Sequence, residues 1–521
     1  MKMKYLWSVM LLLVVLENQC CGQNDNVKYD RNCTFGVLEY GNCIMTVEQD
    51  TYLIKKRPTM SLNASSTVMS DKSGNLQFYS NGISINNRIH YTMKNGKRIN
   101  PGKFLDNGGW TDPKQGGLPS VQGLLSLPSP INDSIYYLFN MDILLKRYTN
   151  PTNAWVVCPE FYYQKIDMTK GDGFGEVVEL NQLITGDTLD YGSLTACRHA
   201  NGRDWWILVN ELKTNVYRRY LLDQNGVNFN GKQTLPEIEV LEDQKARTTR
   251  FTPDGNHFVR VDHDSIPRIY IMDFDRCTGT LGKAKLVNVN HKGGLYTWSS
   301  ISPNSRFIYL IQQEIILQLD LWATDIAASM DTVAVFDGYT SYNGCQTRFF
   351  QSWLGPDGRI YLSTGPCGSY HLHFIDKPDE KGKACDVRQH SIDLTVLNAR
   401  TVPNFPNYRL GALKGSPCDT LTVASKEISA GAYGLKVLPN PASDRIQIEI
   451  NLPNYDPSPS GRSISELVIV DANGSIVQRY TMPEYAYLAT LEVSTLESGV
   501  YGVQLRQQNR VLAVEKLVVV R

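Results

Sequence analysis

His199, Arg203 and Asp204 stand just ahead of the pair Trp205-Trp206. Indoles stack on sugar rings and peptides, and an arginine adds a planar fork of donors, so this cluster has the makings of a carbohydrate or peptide platform. The same residues can instead form a turn clamped by an Arg–Asp ion pair, with both tryptophans packed between sheets. Adjacent strand residues face opposite sides, so two neighbouring indoles cannot line one pocket. His371 and His373 lie two apart on a strand-like stretch and face one side. They could share a metal near Cys367, or pack beside Tyr370 and Phe374. The acidic runs GDGFGE (171–176) and DHD (262–264) could offer oxygens to calcium, but they lack the spacing of an EF-hand loop and read as turns. A nucleophile elbow, an HExxH zinc signature, a Walker loop and a dinucleotide glycine fingerprint are all missing from the chain. No catalytic residue, metal or cofactor is therefore assigned.

Charge excludes another class. Lys plus Arg and Asp plus Glu both number 52, and no basic run is interleaved with aromatics, so nucleic acid is not an expected partner. At the N-terminus, Lys2 and Lys4 precede the apolar run Leu6–Leu16, which is shorter than the ~20 residues of a membrane helix. Residues 1–22 therefore read as a signal peptide cleaved after Gly22. Cys20-Cys21 could suggest a lipidated cysteine, but the preceding Glu17-Asn18-Gln19 is not the small apolar run that such a site needs. The mature chain has no transmembrane stretch. Of 11 cysteines, nine lie beyond the signal: Cys33, Cys43, Cys158, Cys197, Cys277, Cys345, Cys367, Cys385 and Cys418. Export favours disulfides among them, with Cys33–Cys43 as a local pair.

The elements that must position these side chains are strands. Helix signals are nearly absent, with a short turn near Trp322–Ser329 as the best candidate, and 28 tyrosines suit stacked sheets. Stretches starting at Phe251, Ser300 and Trp353 share a turn around Pro253, Pro303 or Pro356. A strand follows, then a second strand ending near Asp273, Asp320 or Asp376. The spacing of about 50 residues fits a four-stranded propeller blade. Looser copies start at Ser66, Leu124 and Thr195. A seventh unit could be shared between Cys33–Leu53 and Asp393–Leu413. The expectation is an all-β chain: a six- or seven-bladed β-propeller over 23–425, a linker at 426–432, and a small Ig-like β-sandwich over 433–521.

That sandwich has its own signature. Pro439-Asn440-Pro441-Ala442 precedes a strand in which Ile446, Ile448 and Ile450 share a face, and Val468 and Val470 share one on another strand. Asp471-Ala472-Asn473-Gly474 marks a hairpin, Gly499-Val500-Tyr501 opens a late strand, and Lys516-Leu517-Val518-Val519 ends the chain. In this order, these residues resemble the C-terminal sorting domain of the type IX secretion system of Bacteroidetes. Only a longer Pro-Ser-rich loop at 454–462 departs from the pattern. The resemblance implies that Pro439, Asn440, Pro441, Ala442, Gly499, Tyr501 and Lys516 form the sorting motif. It also implies that the secretion machinery is a partner and that the protein is secreted or held at the outer surface, via the periplasm.

The preceding region resembles propeller-like ectodomains that carry this tail, through Gly123–Pro128, Tyr136–Phe139, His199–Trp206, Phe274–Gly279 and Pro403–Gly411. That likeness brings no activity with it. Two functions follow as expectations: an extracellular ligand- or protein-binding propeller, or a secreted hydrolase or lyase with acidic residues in the channel. Converging channel carboxylates would favour the second; a channel lined by Asn, Tyr and backbone would favour the first.

Overall fold

A computed structural model describes residues 27–48, 51–56, 60–101, 116–147, 154–240, 247–262, 266–289, 297–365, 367–419, 434–451, 465–471, 475–482, 488–507 and 510–521. The signal peptide, the linker at 426–432, the 454–462 loop, Ala472–Gly474 and the His263-Asp264 part of DHD lie outside these residues. The chain separates into two compact units, 1–420 and 421–521.

The first unit is a ring of antiparallel sheets. Blade 1 has three strands, Asn32–Val37, Gly41–Glu48 and Thr51–Lys56. Blade 2 runs from Asn63 to Lys97, and blade 3 is built from Leu124–Pro128, Ile135–Met141, Phe161–Asp167 and Glu176–Thr185. Blade 4 runs from Thr195 to Thr234, blade 5 from Arg247 to Asn288, blade 6 from Thr297 to Val335 and blade 7 from Arg348 to Pro403. A single sheet of this kind cannot bury both faces; its neighbours cover it. Trp206 and Leu208 of blade 4 pack on Phe258 and Tyr270 of blade 5. Val259 and Val261 of blade 5 meet Ile308 and Leu310 of blade 6, and Phe307 and Tyr309 of blade 6 meet Phe349 and Ile360 of blade 7. Phe35 of blade 1 lies against Trp353 of blade 7, with ring centroids 5.7 Å apart. The Leu62 N–H donates to Gly36 O at 3.0 Å, joining blade 1 to the lead-in of blade 2. Among the described residues the ring thus has seven blades.

The repeated turns obey local chemistry. Asp254, Asn304 and Asp357 each accept the N–H two residues on, at 3.0, 3.0 and 3.2 Å, which is the Asx turn. The repeated Asp of the third strand ties this turn down. Asp320 holds Arg306 through two hydrogen bonds of 3.0 and 2.7 Å, and Asp376 holds Arg359 at 2.5 Å. Asp273 reaches His257 at 3.4 Å.

Several expectations need correction. The seventh unit is not shared between the chain ends: blade 1 is all N-terminal. Residues 393–403 belong to the long last strand Val387–Pro403, whose end pairs in parallel with Asn63–Ser66 of blade 2. Trp322–Ser329 is a run of turns, not a helix. Among the described residues one disulfide is present, Cys345–Cys367. Cys33 pairs with Met45, and Cys43 with Phe35, so the two cysteines sit diagonally in the ladder. Diagonal neighbours stand ~7–8 Å apart, beyond the ~4.4–6.8 Å usual between the Cα atoms of a disulfide. Both stay thiols in the core beneath Trp353, and burial pushes the Cys33 thiol well up.

The second unit is a seven-strand sandwich. Gly434–Leu438, Arg445–Asn451 and Leu488–Glu492 form one sheet. Ile476–Thr481, Ser465–Val470, Gly499–Gln507 and Arg510–Val519 form the other, in that order. Ile446, Ile448 and Ile450 fill the core with Leu467, Ile469, Val503 and Leu505. Val468 and Val470 are buried too, but they alternate with the pair that enters this core.

Candidate functional site

The first strands of the blades surround the propeller axis, and the chain itself fills that axis. After the last strand of blade 7, residues 404–411 run down the channel. Asn404 Nδ2 donates to Leu124 O and Leu194 O, at 3.0 and 3.1 Å, joining blades 3 and 4. Tyr408 is buried, and its hydroxyl donates to Ser126 O at 2.7 Å. Arg409 grips Asp30 through two bonds of 2.8 Å, and Asn407 Nδ2 reaches Pro253 O at 2.7 Å. Phe405 packs against three separate core clusters. The cavity left beside this plug, about 60 Å³, has room for water but falls far below the ~300–1,000 Å³ of small-molecule sites. It is lined by Arg250, Arg409 and a single carboxylate, Asp30, already held by Arg409. Arg250 donates instead to Ser299 O and Ser352 O, at 2.6 and 2.5 Å, and burial pushes its guanidinium down to about 10.

The His199–Trp206 stretch is a closed turn. Asn201 Oδ1 accepts the N–H groups of Arg203 and Asp204, at 2.9 and 3.0 Å, and Arg203 Nε donates to Asp204 at 2.7 Å. His199 Nε2 lies 3.0 Å from Cys277 O. The indoles are 0% and 2% exposed, on opposite faces of their strand. Trp205 sits under the Arg198 guanidinium, 3.8 Å from its ring centre, and edge-on to Tyr408. Trp206 Nε1 donates to Arg276 O at 2.8 Å. Gly202, at φ +72°, has Ala412 N at 2.5 Å from where a Cβ would stand, so a side chain there would strike the strap that follows the plug. The two indoles do not share a face, because the strand alternation buries each ring in a different core.

A different polar-aromatic surface lies on blade 7, beside the Cys345–Cys367 disulfide. Tyr342 is 69% exposed, and its hydroxyl donates to Asp393 at 2.9 Å. Tyr339 stacks on His390, with ring centroids 4.0 Å apart, and His390 Nε2 is 2.9 Å from Asp337. Ser341 Oγ lies 3.1 Å from His371 Nδ1 and accepts the Tyr370 N–H at 3.3 Å, so this buried hydroxyl is engaged on both sides. Burial lowers the His371 pKa. His373 accepts the His390 N–H at 2.8 Å, and burial pushes its pKa down to about 3, so it is neutral. Cys367 is spent in the disulfide. No group of three or more His, Cys, Asp or Glu is placed to hold a metal ion among the described residues. GDGFGE forms successive turns closed by Phe174 N to Gly171 O and Gly175 N to Lys170 O, at 2.9 and 3.0 Å.

Burial pushes two carboxyls up to about 6, Asp142 and Asp190, the second lying beside Arg247. Asp142 stands at the end of the blade 3 strand Ile135–Met141. It is 3% exposed and its Oδ1 accepts the Ile143 N–H at 2.7 Å, so it faces protein rather than substrate. The folded pKa lies above the unfolded one. The cost of ionising Asp142 is thus absent below the unfolded pKa, grows as pH rises, and is complete above about 6. Asp142→Asn is expected to raise stability at pH 7.5 by about 1–3 kcal/mol and to leave it unchanged near pH 4, as read by urea denaturation at both pH values.

In the second unit the opening motif and the chain end are sewn together. Asn440 Nδ2 donates to Lys516 O at 2.6 Å, and its Oδ1 accepts the Val518 N–H at 2.8 Å. Ala442 N donates to Val518 O, and Val520 N to Ala442 O, at 2.8 and 2.9 Å. Pro439 and Pro441 flank Asn440 and bring no N–H of their own to pair. Gly499 and Tyr501 face Val519 and Leu517 in the adjoining ladder, and the Tyr501 hydroxyl donates to Glu497 O at 2.9 Å. Residues 436–520 match the family described as a secretion system C-terminal sorting domain. The tail is a type IX secretion sorting domain.

The sorting domain marks the protein as secreted or held at the outer surface, and involves the type IX machinery as a partner. No described helix is long and apolar enough to cross a membrane. No curated protein matches the sequence. Among solved structures, a protein from Lactobacillus plantarum is 12% identical over 71% of this chain and 98% of its own, with a TM-score of 0.39. A functionally unknown protein from Desulfotomaculum acetoxidans is 13% identical, over 70% and 97%, at 0.36. A candidate 6-phosphogluconolactonase from Bacteroides uniformis is 10% identical, over 93% and 98%, at 0.32. Sequence reasoning placed Asn404, Tyr408 and Arg409 in a family motif but missed their role as a plug. It gave neither Tyr342 nor Asp393 a place in a site. The run Pro403–Gly411, with two prolines, two asparagines and no strand alternation, was the available signal for the plug.

Proposed function

We propose that this protein is a non-enzymatic extracellular binding protein that recognises carbohydrate at the blade 7 surface around Tyr342. The observation that supports this reading is the closed channel. Asn404, Asn407, Tyr408 and backbone occupy the axis where a propeller hydrolase would gather its carboxylates. Recognition then falls to the rim. There the Tyr342 ring offers a flat apolar face, while Asp393 and the Asp337–His390 pair offer acceptors for sugar hydroxyls. In this reading residues 1–22 bring the chain to the periplasm, and the sorting domain carries it across the outer membrane of a Bacteroidetes cell.

The test is a glycan and peptide array probed with the full-length protein, beside a panel of hydrolase and lyase assays. Glycan binding that weakens at least about tenfold in Tyr342→Ala, by loss of one stacked ring, supports the reading. Binding untouched by Tyr342→Ala, or turnover of a glycan or peptide, overturns it.

A further inference from the structure

Two of the seven described thiols lie near each other. The Cys277 and Cys418 side chains are neighbours, and both are partly exposed, whereas Cys33, Cys43, Cys158, Cys197 and Cys385 are buried. One set of residues fixes both partners. Cys277 lies in the turn after the third strand of blade 5, where its N–H donates to Asp275 Oδ1 at 2.8 Å and its carbonyl faces His199 at 3.0 Å. Cys418 lies in the strap after the plug. Leu413 N donates to Ala200 O at 2.8 Å, and the strap then folds on itself through Ser416 N to Leu413 O and Asp419 N to Ser416 O, at 3.1 and 3.0 Å. Arg276 joins the two sides, donating to His199 O at 3.3 Å and to Gly411 O at 2.5 Å.

We propose that Cys277 and Cys418 form a second disulfide during export, fastening the strap to blade 5. Exported proteins meet an oxidising compartment, and two neighbouring thiols on a strap and a turn that are tied together need only close to the ~2.05 Å of an S–S bond. The oxidant is a disulfide-bearing thiol oxidoreductase. One thiolate of the pair attacks the oxidant's disulfide and forms a mixed disulfide, expelling one oxidant thiolate. The second thiolate then attacks the first sulfur, forming Cys277–Cys418 and releasing the oxidant as a dithiol. Two electrons pass to the oxidant, and the protons of the two protein thiols end on its sulfurs. The bond would anchor the plug from its exit side, so that a chain cut anywhere beyond Asp419 would keep its channel closed.

The full-length exported protein, alkylated at harvest and digested with trypsin without reduction, reads this directly. Peptide Cys277–Lys283 is expected cross-linked to Gly415–Lys426, beside the cross-link from Cys345–Cys367. Cys418→Ser should leave Cys277 alkylated and speed proteolytic cutting within Leu413–Asp419 by at least about tenfold, because a released strap opens more often. Recovery of both peptides alkylated while Cys345–Cys367 remains linked would overturn the proposal. A cross-link whose loss leaves the cutting rate unchanged would overturn its fastening role.

Discussion

A chain ending at Thr420 is expected to fold and to remain in the periplasm. The two units have separate cores: Ile446, Ile448, Leu467, Ile469, Val503 and Leu505 in one, and the clusters between blades in the other. Among the described residues each core cluster draws on one unit, so removing the second should cost the first little. Fractionation of a host with the secretion system should find the truncated protein soluble in the periplasm and the full chain outside. An unrelated exported reporter fused to 434–521 should follow the full chain. Truncated protein reaching the surface at normal yield would show that the tail is not its address. Asn440→Ala refines the test. It removes both side-chain bonds to the final strand, at Lys516 O and Val518 N. Two exposed hydrogen bonds are worth about 0.5–1.5 kcal/mol each, enough to fray the seam while the sandwich core stands. Export that falls in this variant, with the isolated domain still folded, would place recognition at the joined motif and terminus.

What could be read in advance divides by the range of the chemistry. The turns at Pro253, Pro303 and Pro356 were legible because each Asx residue acts on an N–H only two positions on. Asp320 and Asp376 were legible as repeat features, since each reaches back over a single strand pair to Arg306 or Arg359. The sorting domain was legible because Asn440 and Lys516 keep their order in a short tail. The plug was not. Asn404 and Tyr408 find their partners at Leu124 and Ser126, near the other end of the ring, and no local pattern encodes that. The Cys33–Cys43 pairing failed on register: sequence proximity cannot tell a facing pair from a diagonal one. The Trp205-Trp206 pair turned on alternation alone, which sends each ring into a different core.

Tyr408→Ala should be among the most damaging single substitutions in the propeller. Tyr408 is 1% exposed and touches Tyr29, Trp205 and Phe405, with ring centroids 5.6, 5.8 and 6.1 Å away. Deleting a buried aromatic ring costs about 3–5 kcal/mol, depending on how far the site collapses. Here collapse is resisted on one side, because Trp205 belongs to a blade 4 strand held between its neighbours. The substitution also strips Ser126 O of its donor, and a buried acceptor left without its partner costs about 1–3 kcal/mol more. Tyr408→Phe separates the two effects. It keeps the ring and loses only the hydroxyl bond, so it should cost the same about 1–3 kcal/mol for the unpartnered Ser126 O and nothing for the ring. Guanidinium denaturation of both variants at neutral pH measures the difference. A loss below about 1 kcal/mol for Tyr408→Ala would mean that the ring closes without its axial segment. The channel would then be open to ligands, and the argument that sends recognition to the rim around Tyr342 would lose its basis. A large loss says the reverse: the propeller uses its own axis to complete its core, and its outer surface is what it has left to offer a partner.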